Sequence, residues 1–413
     1  GRDRPGSAAC AHSPGAASPN ERHEFCQSQA EAHTRRAGGH GSENQKRLLA
    51  MDALVRPTLL INESTARANI ARMVRKAARH HLTFRPHFKT HQSQQIARWY
   101  REEGVTCCTV SSVQMASYFA VEGWQDITIA FPLNPREADS IHQLASHVHL
   151  NLVTVNVEAL ELLLPQRQLA ASIWIEVDTG YHRTGVDPDD AASIESILQT
   201  LARYPQVSFA GFLSHAGHSY KARSAATIQS IHDEDIRIMK KLKADYQARY
   251  PGIKLSIGDT PSCSVCENFE GVDEIRPGNF VFYDLTQVAI GSCTHEQIAL
   301  VMACPVVAVY PHRQEVIIHG GGVHFSKDSL VDTQGVTHFG QVVALQGNEW
   351  LLPPQPAFVR SLSQEHGIVT GPPDWVAAVK VGDILGILPV HACLTADAMG
   401  EFLTTTNSRI AMM

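Results

Sequence analysis

The chain has 413 residues, 44% of them hydrophobic and 18% charged, which is enough for one large domain or two ordinary ones. A formal net charge of -6 without an extended basic block argues against nucleic acid as a partner, and no apolar run approaches the roughly 18 residues that span a bilayer. Nine cysteines without a secretory signal indicate reduced thiols and a cytoplasmic location.

The first 47 residues have Phe25 as their only large apolar residue. Such a segment cannot bury enough apolar surface to offset its ordering entropy, so residues 1–50 are predicted to be a disordered extension. Met51 precedes the first patterned segment, and we expect it to be the native start, with the earlier residues a leader. A transit peptide is the alternative, against which Asp3, Glu21 and Glu24 argue.

From Thr58 onward, short apolar runs alternate with stretches of helical spacing. The strand candidates are Leu82–Arg85, Cys107–Ser111, Ile127–Phe131, Val148–Val153, Ile173–Asp178, Val207–Ser214, Leu255–Ile257 and Phe280–Tyr283. The helical stretches include Ser64–Arg79, Gln92–Glu102, Pro135–Ala145, Asp189–Arg203 and Ala222–Tyr246. Strands separated by helices in this way predict an α/β fold, a (β/α)8 TIM-type barrel over residues 55–290. A doubly wound open sheet is the alternative, but no GxGxxG follows the first strand.

The pattern changes after Gly291 to strand-like runs that Gly, Pro and Asp join, with little helical spacing. These runs are Val301–Tyr310, Glu315–Ile318, Gln341–Leu345, Phe358–Leu362 and Ile384–Val390. We therefore predict a second, C-terminal β domain over residues 291–413.

One lysine stands at the end of the first predicted barrel strand, in the segment Pro86–His91 with the sequence PHFKTH. Active sites of such barrels are built at the carboxyl ends of the strands. Where aromatic and histidine groups limit water, the pKa of Lys89 would fall, and its amine would suit Schiff-base chemistry. The alternative is a surface lysine flanked by histidines through chance.

Polar groups also stand at the ends of the fifth and sixth predicted strands. Arg183 lies in Glu176–Gly185 and can bind a carboxylate or a phenolate oxygen, unless it is a solvated loop residue. His215 and Tyr220 lie in the segment SHAGHSY, an unusual concentration of polar rings at one strand end. For either histidine of that segment, an ordinary buried core residue is the alternative.

Two turns stand where many barrels bind a phosphate. Gly258–Ser262, which contains Thr260, follows the seventh predicted strand, and Arg276–Asn279, which contains Gly278, precedes the eighth. Each segment alone predicts only a turn, so the indication rests on their places in the strand order.

His391 and Cys393 lie in the last predicted strand of the β domain. Residues i and i+2 of a strand face the same side, so an imidazole and a thiolate there could bind one ion. Two protein ligands do not complete a structural zinc site, so such an ion would keep positions open for substrate. Cys263 and Cys266 lack a second pair, and we do not interpret them as a metal site.

These motifs together resemble the D-serine dehydratase/D-threonine aldolase family, from about Arg56 to Met399. The resemblance rests on PHFKTH, EVDTGYHRTG, SHAGHSY, GDTPS, EIRPGNFVFYD, SQEHG and PVHAC, which occur in the order that the family has. The family belongs to the alanine-racemase-like, fold-type III pyridoxal-phosphate enzymes, so the resemblance implies a (β/α)8 barrel followed by a β domain. It also implies a homodimer, because such enzymes complete their active sites between subunits.

The resemblance assigns roles residue by residue. Lys89 would bind pyridoxal 5'-phosphate covalently, and Arg183 would lie near its phenolic oxygen or the substrate carboxylate. The other implied cofactor contacts are His215 at the ring, Tyr220 or Arg276 at the pyridine nitrogen, and Thr260, Gly278 and Asn279 at the phosphate. His391 and Cys393 would be the metal pair, which binds zinc in the dehydratase branch.

The implied activity is β-elimination of D-serine, or a related D-3-hydroxy amino acid, to pyruvate and ammonia. A metal-dependent D-threonine aldolase is the first alternative, although such enzymes tend to have Asp where Cys393 stands. An amino-acid racemase is disfavoured because Thr90–Ser93 replaces the Tyr-Gly-His-Gly of the racemases. A non-catalytic pyridoxal-phosphate-binding protein is disfavoured because single-domain relatives of that kind lack a β domain.

Overall fold

The structure, a computed structural model, describes residues 53–166, 168–332 and 335–413. Two large sheets organise this part of the chain, one of eight strands and one of ten. In the described residues, no helix is both long enough and apolar enough to cross a membrane. The predicted disordered extension, residues 1–50, lies outside the described residues.

The eight-stranded sheet is parallel throughout and forms a barrel. Its strands are Thr83–Phe84, Cys107–Val110, Asp126–Pro132, His149–Thr154, Ala171–Val177, Val207–Ser214, Lys254–Ile257 and Glu274–Ile275. The first strand pairs with the eighth, Thr83 opposite Glu274, and one bridge between His87 and Thr109 closes the ring to the second strand. The predicted (β/α)8 barrel is confirmed.

Helices connect these strands on the outside of the barrel. They are Glu63–Arg79, Gln94–Glu102, Val113–Val121, Ala138–Ala145, Val157–Leu163, Ala191–Ala202, Ala225–Tyr246, Thr260–Val265 and Leu285–Ala289. Several begin at a side-chain cap; for example, Asn62 accepts from the Thr65 amide and Ser224 accepts from the Thr227 amide. The predicted helical stretches therefore occur, with differences only at their ends.

The eighth barrel strand is Glu274–Ile275, and the predicted strand Phe280–Tyr283 is wrong. Pro277 has no amide hydrogen for a ladder, and the chain turns there into the 3-10 helix Asn279–Val281. Phe280 is nonetheless fully buried, so an apolar run that packs against the barrel had the pattern of a strand. As a consequence, Arg276–Asn279 follows the last strand and lies at the carboxyl end of the barrel.

The ten-stranded sheet is largely antiparallel, and most of it comes from the C-terminal part of the chain. Its strands are Thr58–Ile61, Leu300–Tyr310, Glu315–His319, Gly340–Gln346, Glu349–Leu351, Phe358–Leu362, His366–Thr370, Ile384–Pro389, Glu401–Thr404 and Arg409–Ala411. A separate small sheet pairs Leu330–Val331 with Thr337–His338. The predicted β structure is confirmed, and three short helices accompany it: Gly322–Phe325, Pro373–Ala378 and Ala392–Met399.

The strand Thr58–Ile61 belongs to the second sheet, although the sequence analysis placed residues 55–290 in the barrel. It pairs antiparallel with Leu300–Tyr310 and parallel with Glu401–Thr404. Its apolar side chains are buried there, so the described part of the chain passes through the antiparallel sheet before it enters the barrel. One continuous hydrophobic cluster spans both sheets, which fixes the barrel against the β domain.

Candidate active site

Lys89 lies in the 3-10 turn Phe88–Thr90, directly after the first barrel strand. Phe88 is fully buried, and its ring packs against Phe119 and Trp124 with centroid distances of 4.9 Å to each. The amide of Lys89 donates to His87 Nδ1 over 3.3 Å. This anchoring fixes the turn, while the side chain of Lys89 is exposed at the carboxyl end of the barrel.

The electrostatics around Lys89 are those of a cationic pocket. The protein walls reduce the hydration of its amine and lower the pKa of Lys89; Arg183 lowers it further, whereas Cys393 partly opposes the shift. Burial, with the charges of Arg183, Lys89 and Arg276, lowers the pKa of His215 to about 3. The structure therefore brings these predicted residues together from four different strand ends, and it keeps His215 a neutral imidazole.

The loop that carries Arg183 is folded by its own side chains. Asp178 Oδ1 accepts from the amides of Gly180 and His182, each over 2.9 Å. The guanidinium of Arg183 lies 5.3 Å from the centre of the Tyr181 ring, a cation–π distance. A Cβ on Gly217 would overlap the Tyr181 ring, so glycine there makes room for this loop.

Arg276 and Tyr220 occupy different positions, and the sequence analysis left open which one meets the pyridine nitrogen. Arg276 is buried, and its guanidinium donates to Ser256 Oγ over 2.6 Å and to the Ser214 carbonyl. The hydroxyl of Tyr220 accepts from the Thr260 amide over 3.3 Å, and burial raises its pKa well above the usual range. Both residues thus lie beside the turns that were predicted to bind a phosphate.

Those two turns lie against each other. The Phe280 amide donates to Thr260 Oγ1 over 3.3 Å and so joins them. A Cβ on Gly278 would lie 2.9 Å from the His87 carbonyl oxygen and 3.0 Å from Thr90 Oγ1, closer than ordinary contact. Glycine therefore lets the second turn approach the lysine turn closely.

His391 and Cys393 do not lie in a strand, and that prediction is wrong. The strand Ile384–Pro389 ends before them, and His391 is the N-cap of the helix Ala392–Met399. The chain leaves the sheet here because the backbone after the strand bonds to other partners. The Ala392 amide, for example, donates to Asp284 Oδ2 over 3.0 Å. The argument from alternation in a strand fails, but the side chains of His391 and Cys393 remain close enough that each shifts the pKa of the other.

The thiol of Cys393 reaches the barrel. Its Sγ lies 3.4 Å from Thr90 Oγ1 and 3.5 Å from Asn279 Nδ2, so it contacts both the lysine turn and a phosphate turn. Burial alone would raise the pKa of Cys393, but the hydrogen bond and the charge of His391 lower it. The arrangement favours a thiolate, the form of cysteine that binds metals.

Two carboxylates at this site were missed by sequence reasoning. Asp328 Oδ2 lies 3.0 Å from His391 Nδ1, and Asp284 Oδ2 accepts from both Asn279 Nδ2, over 2.7 Å, and the Ala392 amide. No local signal marks Asp328, because its contact with His391 spans 63 positions of sequence. Asp284 ends the EIRPGNFVFYD motif, but its contact with the Ala392 amide spans 108 positions and could not be predicted from the motif.

A second set of possible ligands lies elsewhere. Within the described ranges, His319, His324 and Glu365 place their ligand atoms within 4.8 Å of one another. However, the Gly321 amide donates to His324 Nδ1 over 3.1 Å, which puts the proton of the neutral ring on Nε2, the atom that faces Glu365. A cavity of about 600 Å³ next to His319 and His324 is lined by none of the predicted site residues.

The CxxC segment lies in the interior of the molecule. Cys263 and Cys266 are buried, and burial raises the pKa of both thiols, that of Cys266 to about 12. In the part of the chain that the structure describes, neither belongs to a group of three potential ligands. Both are neutral core thiols.

Comparison with known families divides the chain at the same point as the fold. The family described as "Alanine racemase, N-terminal domain" matches residues 61–285, and a serine dehydratase domain family matches residues 299–405. The first match covers the barrel and the second covers most of the antiparallel sheet.

Curated relatives match over nearly the whole described chain. The D-serine dehydratase of Dictyostelium discoideum is 30% identical over 378 residues, 85% of this chain and 93% of that protein. The D-threo-3-hydroxyaspartate dehydratase of Delftia sp. (strain HT23) is 31% identical over 366 residues, with the same coverage of both chains. A D-threonine aldolase of Arthrobacter sp is 25% identical over 349 residues, 81% of this chain and 85% of that protein.

Solved structures show the same likeness. The D-threo-3-hydroxyaspartate dehydratase from Delftia sp. HT23 superposes with a TM-score of 0.82 at 28% identity, covering 88% of this chain and 98% of that chain. A mutant of that dehydratase with a cysteine replaced by alanine, solved in the metal-free form, has the same TM-score at 27% identity and the same coverage.

Proposed function

Because the chain belongs to the D-serine dehydratase/D-threonine aldolase family of alanine-racemase-like proteins, we propose that it is a pyridoxal-phosphate-dependent lyase. Its reaction is β-elimination of D-serine, or of a related D-3-hydroxy amino acid, to pyruvate and ammonia. The observation that supports this proposal is the contact of Cys393 with Thr90, because a thiol beside the lysine turn could bind the metal ion that such a reaction uses. The greater identity to dehydratases than to the aldolase supports elimination over retro-aldol cleavage.

The residues present fit pyridoxal phosphate. Burial, together with the positive charges of Lys89, Arg183 and Arg276, lowers the pKa of His87 and His215. A positive field of this kind suits an anionic phosphate and carboxylate. Gly278 leaves room for a close approach to the backbone. In this proposal Thr260, Gly278 and Asn279 hold the phosphate, His215 lies at the ring, and Tyr220 or Arg276 meets the pyridine nitrogen. When bound, the cofactor supplies an electron sink for charge that develops at Cα.

Lys89 has two tasks in this proposal: it binds the cofactor and moves a proton. Desolvation and the charge of Arg183 lower the pKa of Lys89, which favours the free amine that would accept the Cα proton of the substrate at Nζ. Arg183, on the opposite loop, orients the substrate carboxylate or the phenolic oxygen of the cofactor through a planar fork of donors.

The donor set of His391 and Cys393 fits a divalent ion, and zinc is the ion we propose. A thiolate and an imidazole are the ligands that zinc prefers, and two protein ligands leave positions open for substrate. Hydroxide is a poor leaving group, so a Lewis acid on the β-oxygen eases its departure. In this role the β domain, residues 291–413, supplies the metal pair and the barrel, within residues 55–290, supplies the cofactor site.

Assembly and location are further parts of the proposal. A homodimer is proposed because fold-type III enzymes complete their active sites between subunits, and size-exclusion chromatography with light scattering tests it. A cytoplasmic location is proposed because every cysteine in the described residues is unpaired, which suits a reducing compartment.

The experiment that tests the function compares two substrates. The purified protein, loaded with pyridoxal phosphate and Zn2+, is incubated with D-serine and with D-threonine, and pyruvate, 2-oxobutyrate and glycine are measured. A dehydratase releases pyruvate from D-serine and no glycine from D-threonine. Glycine with an aldehyde as the main products from D-threonine would establish the aldolase, and racemised amino acid alone would establish the racemase.

A further inference from the structure

The imidazole of His391 has a carboxylate partner outside its own motif. His391 Nδ1 lies 3.0 Å from Asp328 Oδ2, a hydrogen-bond distance, across 63 positions of sequence. Both side chains are partly accessible, 38% for His391 and 40% for Asp328, so solvent can reach the pair. The contact joins the segment after the helix Gly322–Phe325 to the start of the helix that carries Cys393.

The chemistry of imidazole makes this contact directional. A neutral ring has one nitrogen that carries a proton and one that carries a lone pair, and only the lone pair can bind an ion. The carboxylate of Asp328 accepts, so Nδ1 carries a proton in either charge state of the ring, and once the ring is neutral its lone pair lies on Nε2. Histidine ligands commonly donate their other N–H to a carboxylate, which fixes the ring orientation and strengthens the ligand.

Asp328 is itself held in place. Ser326 Oγ donates to Asp328 Oδ2 over 3.1 Å and accepts from the Asp328 amide over 3.3 Å. Ser326 has φ 67° and ψ −169°, a conformation that residues other than glycine rarely adopt. The surrounding contacts therefore impose an unfavourable backbone at the residue that orients the carboxylate.

The same loop is fastened to the helix that carries Cys393. Thr395 Oγ1, on the helix Ala392–Met399, donates to the Phe325 carbonyl over 3.2 Å. Phe325 is buried in the core, and Thr395 is fully buried as well. The loop that carries Asp328 and the helix that carries Cys393 are thus one fixed unit.

We propose that Asp328 is a positioning residue for metal binding: it holds the Nδ1 proton of His391 so that Nε2 is presented to the ion next to Cys393. This inference rests on the proposed function, since it assumes that His391 and Cys393 bind a metal. Asp328 does not ligate the ion; it acts through His391 alone.

The test measures Zn2+ affinity rather than turnover. The holoenzyme and its variants compete with a chromophoric chelator for Zn2+. Loss of an outer-shell partner typically weakens metal affinity about 10- to 100-fold, so Asp328→Ala should fall in that range. Asp328→Asn keeps an acceptor oxygen without the charge and should lie between Asp328→Ala and the wild type. Excess Zn2+ should restore the D-serine turnover of Asp328→Ala.

Glu267→Gln is the matched control, because Glu267 bonds to the ring of His80 over 2.9 Å and lies outside the site. It should leave Zn2+ affinity unchanged. Asp328→Asn is nearly isosteric, so it reports on metal binding even if Asp328→Ala does not fold. If the wild type binds Zn2+ and both Asp328 variants bind it within twofold, this inference alone is overturned. If the wild type binds no Zn2+, the proposed metal site falls and this inference falls with it.

Discussion

The barrel and the antiparallel sheet supply the candidate site in different ways. At the barrel, several separate strand ends each present one or two groups, among them Lys89, Arg183 and His215. The β domain presents His391 and Cys393 from the N-cap and the first turn of one helix, Ala392–Met399. In the proposed function, the cofactor would therefore be bound by many loops, whereas the metal ion would depend on one short segment and on the residues that hold it.

The two regions meet at a few specific contacts. Cys393 touches Thr90 and Asn279, and the buried carboxylate of Asp284 bonds to Asn279 and to the Ala392 amide. Contacts with the barrel therefore position His391 and Cys393, the proposed metal pair, although both residues belong to the β domain. The barrel, in contrast, has its lysine turn anchored by its own core around Phe88. Damage to the metal pair should thus leave cofactor binding intact.

The largest expected effect comes from the barrel side. Lys89→Ala should lower D-serine turnover on the order of 10⁴-fold, because it removes the amine that binds the cofactor and accepts the Cα proton. The visible absorption of the bound cofactor should be lost as well. Lys380→Ala, at an exposed lysine of the β domain, serves as the control. A borohydride-reducible adduct found at another lysine would contradict the assignment.

The next effect comes from the β domain. A chelator, or Cys393→Ala, should lower D-serine turnover about 100- to 1,000-fold, because several kcal/mol of stabilisation at the leaving oxygen are lost. The absorption spectrum of the bound cofactor should not change. The control is Cys304→Ala, at a buried thiol elsewhere in the β domain. A large drop in melting temperature with intact turnover would show a structural metal instead.

A third change acts where the two regions meet. Gly278→Ala places a methyl group 2.9 Å from the His87 carbonyl oxygen and 3.0 Å from Thr90 Oγ1, so the turns must separate. Overpacking of this kind costs about 1–3 kcal/mol, and we expect pyridoxal phosphate to bind about 10- to 100-fold more weakly. Equilibrium dialysis measures the change. Gly252→Ala, where a Cβ meets nothing within 4 Å, should have wild-type affinity.

The last change lies in the barrel alone, and it is expected to alter the stability of the fold and not the rate of catalysis. Burial raises the pKa of Asp259 to about 6, although Ser262 and Ser219 hydrogen-bond to its carboxylate. The folded state therefore binds more protons than the unfolded state between about pH 4 and pH 6, and the wild type loses stability as pH rises through that window. Asp259→Asn removes this loss, which amounts to at most about 3 kcal/mol.

Urea denaturation of the holoenzyme at several pH values measures the difference. The advantage of Asp259→Asn over the wild type should grow from pH 4 to pH 6 and then level off. The asparagine can still accept from the Ser262 amide at the start of the helix Thr260–Val265, so the cap is preserved. A difference that is independent of pH would mean that the pKa of Asp259 is not raised.

The sequence predicted the strands of the barrel better than it predicted which strands form the antiparallel sheet. In the barrel, alternation of apolar runs and helical stretches gave seven of the strands near their true positions, since each element is local. It failed at the eighth, where Phe280 and Val281 are buried in a 3-10 turn with the same apolar pattern as a strand. The strand Thr58–Ile61 could not be assigned to its sheet, because its partners lie at Leu300–Tyr310 and Glu401–Thr404.

The amino-acid sequence by itself determined the fold class, the family, and the identity of Lys89, His391 and Cys393 as chemically distinctive residues. Residue type, local periodicity and the order of motifs are all properties of short segments. Only the tertiary structure decided that Cys393 contacts Thr90, that Asp284 joins Asn279 to the Ala392 amide, and that Asp328 holds His391. A hydrogen-bond partner far along the chain is chosen by the packing of whole elements, and no short segment contains that information.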